Sequence, residues 1–194
     1  LNFNLPGADG NYLVKYRSRD NVENLEVERS SQVFVDAAPP FSALNVIGGK
    51  QYPGAEPDSF YASLDSKFGF VAADSAVGGG ASGVKTIESA DNGGQYGAYS
   101  QPISLGEGKH AITYMATDRV ENTEVIRSTQ IYIDSTAPIT SFNISEPLYI
   151  KDGVRYITPE SALTFTATDP LTKEVSAGAE RIETAVDGGQ WTKY

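Results

Sequence analysis

Residues 114–140 read YMATDRVENTEVIRSTQIYIDSTAPIT, and residues 16–42 read YRSRDNVENLEVERSSQVFVDAAPPFS. The two passages lie 98 positions apart, align without a gap and share 12 of 27 residues. Most of the other positions exchange residues of the same class, as Val33 and Ile131 do. Repetition at a fixed period indicates one folding unit that the chain uses more than once.

A second pair of passages extends the repeat. Residues 74–99 align without a gap with residues 169–194, 95 positions further on. The three-residue difference between the two offsets falls between residues 41–67 and residues 139–162, where a loop can absorb it. Together the alignments predict a repeat of about 98 residues.

The alignment predicts one complete repeat, residues 39–137, between two halves. Residues 1–38 correspond to the second half of a repeat, and residues 138–194 correspond to a first half. Half a β-domain exposes strand edges and lacks half of its core. We therefore expect either a longer tandem array, of which this sequence is one window, or separate chains that complete each other head to tail.

The joints between repeats are short and contain proline. They read Asp-Ala-Ala-Pro-Pro at residues 36–40 and Asp-Ser-Thr-Ala-Pro at residues 134–138. Because proline ends a β-ladder and fixes its own backbone angle, these joints are expected to be stiff and to suit a fibre or stalk.

Hydrophobic alternation with a period of two dominates the complete repeat and predicts strands rather than helices. The candidate strands are residues 41–47, 59–64, 67–73, 83–90, 95–105, 109–118 and 124–134. Seven short strands in about 98 residues, separated by Gly- and Asp-rich turns, predict an all-β, antiparallel β-sandwich. The turns at residues 91–94 and 186–189 each contain two glycines and predict hairpins.

The composition narrows the class of function. The chain has a net charge of −10, a pI of about 4.5 and no cysteine. Its charge argues against binding of nucleic acid, and no apolar run approaches the length of a membrane span, so no direct membrane insertion of this segment is expected. This excess of negative charge is typical of a soluble, secreted or surface protein and is compatible with the binding of divalent cations.

Four segments carry a family resemblance: residues 105–118, 121–124, 133–138 and 187–194. They include Leu-x-Glu-Gly-x-His-x-Ile-x-Tyr-x-Ala-x-Asp, Glu-Asn-x-Glu, Ile-Asp-x-Thr-Ala-Pro and Asp-Gly-Gly-Gln-Trp-x-x-Tyr. Together they resemble the bacterial extracellular Ig-like repeats named after a spirochaete outer-membrane protein. One departure is that Glu23 and Glu121 stand where the family usually has glycine.

The resemblance implies tandem Ig-like domains in a bacterial extracellular or cell-surface protein, working as a structural, non-catalytic spacer, adhesin or filament component. Its partners would be neighbouring repeats, identical chains, or a cell-surface glycan or protein. Two alternatives stay open: a glycan-binding accessory module of a secreted enzyme, and a strand-complemented subunit of a self-assembling filament.

No catalytic residue is predicted. His110 is the single histidine, and its equivalent one repeat earlier is Tyr12. With no cysteine and one histidine, the usual Ser-His-Asp and Cys-His arrangements are nearly excluded. His110 is expected to be a strand residue with a half-exposed ring.

Calcium is the one cofactor that the sequence raises, because acidic residues recur at equivalent loop positions. The candidate ligands are Asp118, Glu121 and Asp134, with their equivalents Asp20, Glu23 and Asp36. Asp74 and Asp169 open the Gly-rich loops nearby. The alternative is that these aspartates cap turns by accepting hydrogen bonds from their own backbone.

Aromatic residues give the last candidate site. Tyr96 and Trp191 are equivalent, and Tyr99 and Tyr194 follow them. An exposed Tyr96 and Trp191 could stack on sugar rings, whereas buried rings would close one end of the core.

Overall fold

The structure, a computed structural model, describes residues 2–5, 7–75 and 78–194. Every helix or strand assigned in these ranges is a β-strand, which confirms the predicted all-β class. The same ranges contain no helix long and apolar enough to cross a membrane. The Gly-rich loop at 74–83 includes residues 76 and 77, which lie outside the described residues.

Seventeen strands are assigned in the described residues. The first nine are β1 (Gly10–Tyr16), β2 (Arg29–Val35), β3 (Phe41–Ile47), β4 (Gln51–Pro53), β5 (Ser59–Ser63), β6 (Lys67–Ala73), β7 (Val84–Asp91), β8 (Gly97–Ala98) and β9 (Ile103–Ser104). The others are β10 (Gly108–Asp118), β11 (Arg127–Asp134), β12 (Ile139–Ile144), β13 (Leu148–Lys151), β14 (Val154–Ile157), β15 (Leu163–Thr168), β16 (Glu183–Thr184) and β17 (Thr192–Lys193).

Six of the seven strands expected in residues 39–137 form within three residues of their predicted bounds. The prediction of one strand over residues 95–105 is wrong, because β8 pairs with β7 and β9 pairs with β6 in a different sheet. Pro102 lies between β8 and β9 and has no amide to donate to a ladder, so the chain changes sheets there. The short strand β4 was not predicted, because it has three residues and ends in Pro53.

Two larger sheets and four two-stranded ladders contain all of these strands. The larger sheets have the orders β3-β6-β9 and β4-β5-β11-β10-β7-β8, and the pairs β3-β6, β6-β9, β4-β5, β10-β7 and β7-β8 are antiparallel. The ladders are β1-β2, β12-β15, β13-β14 and β16-β17. This is a sandwich-like, all-β arrangement.

The chain divides into two compact units that do not follow the repeat boundaries. The first contains Leu1–Gly48, Asp65–Ser104 and His110–Gln130, and the second contains Gly49–Leu64, Leu105–Lys109 and Ile131–Tyr194. Residues of the predicted complete repeat occur in both units. The boundaries at residues 38 and 137 therefore remain a prediction from the sequence.

The first unit has a core built from both of its sheets. Phe68 and Phe70 on β6 are almost fully buried, as are Ile112, Tyr114 and Ala116 on β10. The rings of Phe70 and Tyr114 lie 4.9 Å apart. Alternate residues of both strands point inward, as the pattern of period two predicts.

The second unit buries a smaller apolar set. Its members are Ala62, Leu105, Ile131, Ile133 and Val175. Ile131 and Ile133 are alternate residues near the end of β11, and both are fully buried.

Strand pairs that the alignment makes equivalent have the same register. Phe41 pairs with Ala73 between β3 and β6, and the equivalent Ile139 pairs with Thr168 between β12 and β15. The hairpin β7-β8 and the hairpin β16-β17 also agree residue for residue. Both hairpins turn through a residue at positive φ followed by glycine, Asn92-Gly93 and Asp187-Gly188, which confirms the predicted turns.

Replacing Phe70 by alanine should lower the free energy of unfolding by about 3 to 5 kcal/mol, because it leaves a cavity between the two sheets. Phe3, which is 77% exposed, provides a matched control, and Phe3→Ala should cost less than about 0.5 kcal/mol. Urea titration followed by tryptophan fluorescence and circular dichroism measures both values. Equal losses in the two variants would contradict this core.

Candidate functional site

Asp118 holds the loop that follows β10 through hydrogen bonds to its own backbone. Oδ1 accepts hydrogen bonds from the amides of Val120 at 2.9 Å and Asn122 at 2.8 Å, and Oδ2 accepts one from the Asn122 side chain at 2.7 Å. Asp20 makes the same three bonds to the residues two and four positions after it. Both aspartates therefore have the turn-capping role that was the alternative to calcium binding.

Glu121 and Glu23 occupy the left-handed backbone region in these loops, with φ of 72° and 74°. Such angles favour glycine, which gives a physical reason for the glycine that is usual here in the resembling family. Both side chains are exposed and form ion pairs, Glu121 with Lys85 and Glu23 with Arg19 at 3.1 Å. Neither glutamate joins the cluster of acids described below.

Glu124 is a buried carboxylate that connects the two sheets of the first unit. It accepts hydrogen bonds from the amide of Ser42 on β3 at 3.1 Å and the amide of Ala116 on β10 at 2.8 Å. Arg127 forms an ion pair with it at 2.9 Å. Burial raises the pKa of Glu124, but the hydrogen bonds from Ser42, Arg127 and Ala116 outweigh burial and hold the pKa below its ordinary value.

Three aspartates meet where three strands end. Asp36 follows β2, Asp74 follows β6, and Asp118 is the last residue of β10. One carboxylate oxygen of each lies within 4.8 Å of the others. Asp118 is completely buried, and the other two are partly buried.

Adjacent backbone amides hold two of these carboxylates in place. The Ser82 amide donates to Asp36 Oδ2 and the Gly83 amide donates to Asp74 Oδ2, both at 2.7 Å. The hydrogen bonds from Ser82 keep the pKa of Asp36 below its ordinary value. The other oxygen of Asp74, Oδ1, is buried and accepts no hydrogen bond from any described residue.

The equivalent residues of the following repeat make the same contacts. The Ala177 amide donates to Asp134 Oδ2 at 2.6 Å, and the Gly178 amide donates to Asp169 Oδ2 at 2.8 Å. Asp169 Oδ1, like Asp74 Oδ1, is buried without a hydrogen-bond donor in the described part of the chain. An arrangement that occurs twice with the same atoms is a property of the repeat.

The structure thus brings together two of the six predicted calcium ligands, Asp36 and Asp118, and adds Asp74. Sequence reasoning placed Asp74 at the start of a loop but not in the ligand set. The signal that could have found it is positional, since each of the three acids ends a strand or directly follows one.

The predicted aromatic patch has one exposed ring and one partly buried ring. Trp191 is 71% exposed, whereas Tyr96 is partly buried. Tyr99 packs edge-on against Phe70 at 5.1 Å, and Tyr194 packs in the same way against its equivalent, Phe165, at 5.0 Å. The rings of Tyr99 and Tyr194 therefore have a packing role, whereas the ring of Trp191 is exposed to solvent.

A second aromatic row, which the sequence analysis missed, lies in the second unit. Tyr52, Tyr61 and Tyr132 come from three neighbouring strands, with ring centres 6.5 and 4.9 Å apart. Tyr52 and Tyr61 also line an open cleft of about 1060 Å³ that includes Asp134 and Arg181. No sequence signal connects these tyrosines, because strand pairing alone makes them neighbours.

His110 is more buried than expected, since its side chain is 14% exposed. Its Nδ1 lies 2.8 Å from Asp91 Oδ2, and its carbonyl accepts a hydrogen bond from the Gln130 side chain. These contacts connect the end of β7 to β10 and β11, which is a structural role.

No family model, curated protein or solved structure matches this chain. The resemblance to the extracellular Ig-like repeats therefore stays a prediction from the sequence.

Replacing Glu124 by alanine should lower the free energy of unfolding by about 3 kcal/mol, because two amides and a guanidinium lose a buried partner. The equivalent Glu26 bonds to Ser18 and Arg29 on the surface, so Glu26→Ala should cost less than about 1 kcal/mol. Denaturant titration at neutral pH measures both variants, and a smaller loss for Glu124→Ala would contradict this assignment.

The stability that Glu124 contributes should also depend on pH. Because its folded-state pKa is depressed, this contribution is present above its ordinary pKa of 4.5 and is lost as pH falls through the lower folded value. The difference between wild type and Glu124→Gln should shrink over that acidic range.

Proposed function

We propose that this chain is a structural, non-catalytic segment of a tandem array of Ig-like β-sandwich repeats, serving as a spacer or adhesive stalk on a bacterial surface. The observation that carries the proposal is the joint between repeats. Each joint begins with an aspartate that is hydrogen-bonded to a loop amide of the following repeat, at equivalent positions in both copies. A short linker that is bonded to the next domain limits the range of angles between the two domains.

The first joint is held on both of its sides. The Asp36 carboxylate accepts a hydrogen bond from Ser82, and its carbonyl accepts one from the Asn122 side chain at 3.1 Å. The amide of Ala37 donates to Asp9 Oδ1 at 2.6 Å. The linker is therefore bonded to the residues before it and to two loops after it.

The second joint is held by hydrogen bonds to acids at the equivalent positions, although the donor groups differ. Thr136 donates through its hydroxyl to Glu107, the equivalent of Asp9, at 2.7 Å, while Asp134 accepts from Ala177. The hydrogen bond from Thr136 holds the pKa of Glu107 below its ordinary value. Two joints that differ in sequence thus keep the same acidic anchors.

Apolar residues are exposed in the half-repeat at residues 1–38, and this supports a partner that supplies the second sheet of that repeat. Tyr114 and Ile131 are 7% and 0% exposed, whereas their equivalents Tyr16 and Val33 are 51% and 37% exposed. These positions face a second sheet in a complete sandwich. In the proposed array, that sheet is the other half of the same repeat, which either the same polypeptide or an identical chain supplies.

Removing the joint anchors should loosen the chain without unfolding it. We expect Asp36→Ala and Asp134→Ala, measured in chelator, to broaden the distribution of interatomic distances in small-angle X-ray scattering, because the loop amides of Ser82 and Ala177 lose the carboxylates that connect them to the linkers. Glu56→Ala, at an exposed acid outside the joints, is the matched control and should leave the distribution unchanged.

An unchanged distribution in both joint variants would contradict the proposal. Sedimentation equilibrium of the same samples identifies the partner. A mass that rises with concentration in steps of 20.8 kDa indicates identical chains, and a constant mass favours repeats within one polypeptide.

Glycan binding is the second candidate function, favoured by the exposure of Trp191 and by the tyrosine row that borders an open cleft. Aromatic faces stack on sugar rings, and a nearby arginine and carboxylate can bond hydroxyls. If this function holds, Trp191→Ala or Tyr52→Ala should reduce retention on a glycan array at least tenfold, whereas Val186→Ala, also exposed, should not. Absence of wild-type retention would remove this candidate.

A further inference from the structure

We propose that Asp36, Asp74 and Asp118 form a calcium site that clamps the first joint. Its oxygen ligands come from three separate segments: the joint, the start of the Gly-rich loop, and the loop after β10. The site itself is argued from geometry and burial, and its effect on the joint rests on the proposed function.

The spacing of the three carboxylates suits one ion. Calcium binds oxygen at about 2.3 to 2.6 Å, so two oxygens on the same ion are at most about 5 Å apart. The three ligand oxygens lie within 4.8 Å of one another. A single ion can therefore contact all three with little movement of the backbone.

An unpaired buried oxygen is the independent sign of a missing partner. Asp74 Oδ1 has less than 1 Å² of exposed surface, and none of the described residues donates a hydrogen bond to it. A buried acceptor without a donor is costly, and a buried carboxylate oxygen is more so. A cation bound by the Asp74 carboxylate would give this oxygen a partner.

Burial of Asp118 adds to the same argument. Its side chain is completely buried, and the hydrogen bonds it accepts come from neutral donors in its own loop. One oxygen of its carboxyl group also lies within 4.8 Å of an oxygen of Asp36 and of Asp74. Like charges at this distance in a partly buried site repel one another unless a proton or a cation intervenes.

The ligand chemistry favours calcium over other metals. Three carboxylates with no imidazole or thiolate form a hard, all-oxygen site, which zinc and copper do not prefer. Calcium completes a shell of six to eight ligands with backbone carbonyls and water, and tolerates irregular geometry. Magnesium requires an almost ideal octahedron, which three carboxylates from three different loops are less suited to provide.

The site explains why the joint aspartate lies where it does. Asp36 reaches the loop amide of Ser82 with one oxygen, and an ion shared with Asp74 and Asp118 would connect the same residue to two more segments. Calcium would then limit the motion of the linker more strongly than hydrogen bonds alone. The equivalent pair Asp134 and Asp169 repeats two of the three ligands at the next joint.

The test compares wild type with Asp74→Asn in calcium and in chelator. Asparagine keeps an oxygen that can accept the hydrogen bond of Gly83 but removes one charge from the cluster. Calcium at about one hundred times its dissociation constant should raise the melting temperature of wild type by about 5 to 10 °C, and that of Asp74→Asn by less than a quarter as much. In chelator, Asp74→Asn should have the higher melting temperature, because the variant has less repulsion among the clustered carboxylates.

Asp20→Asn is the matched control, since Asp20 makes the same loop bonds as Asp118 but lies on the surface outside the cluster. It should keep the calcium response of wild type. Calorimetric titration with calcium chloride, and separately with magnesium chloride, should show saturable heat for calcium in wild type and in Asp20→Asn.

Absence of calcium heat in folded wild type, or an equal response of Asp74→Asn, would overturn the proposal. A response of equal affinity to magnesium would overturn the assignment to calcium. The scattering experiment on the joint variants is run in chelator, so its result does not depend on calcium. The proposed array can therefore be correct when the calcium site is wrong, and the calcium site can be correct when the array is wrong.

Discussion

Polar backbone groups at the ends of a sandwich must be paired once its core is buried, and in this protein acidic side chains pair them. Asp36, Asp74, Asp118 and Glu124 each accept at least one backbone amide hydrogen bond. Without these acceptors, amides at the strand ends would be buried and unpaired, which costs about 1 to 3 kcal/mol each. The loops, the joint and the contact between sheets all depend on this pairing.

Satisfying amides with carboxylates has an electrostatic consequence. Each acid that replaces a neutral acceptor adds a negative charge, and three of them converge at one edge of the first unit. A surface ion pair such as Lys85 with Glu121 compensates charge only locally. None of the hydrogen bonds described for the cluster at the joint comes from a charged side chain, and this is the electrostatic basis of the calcium ion proposed there.

Much of the fold could be predicted from alternation and turn chemistry, because both are local. Strands β3, β6 and β10 and the turns at Asn92-Gly93 and Asp187-Gly188 follow from period-two patterns and from residues that tolerate positive φ. The change of sheet at Pro102 was missed, because the alternating pattern over residues 95–105 does not show which strand each half of the segment pairs with. One member of the three-residue acid cluster, Asp74, was missed because no local pattern shows that the ends of β2, β6 and β10 meet.

The sequence by itself determined the repeat, the acidic character and the identity of the joint residues, because these depend on residue types and their spacing. The tertiary structure alone decided which acids meet, which stay on the surface, and which carboxylate oxygen remains without a donor. Asp118 and Asp20 share the local pattern Asp-x-Val-Glu-Asn and make the same loop bonds, yet only Asp118 is buried. The difference arises because the cluster around Asp118 brings together Asp36 and Asp74, residues more than 40 positions away in the chain that only the tertiary fold places beside it.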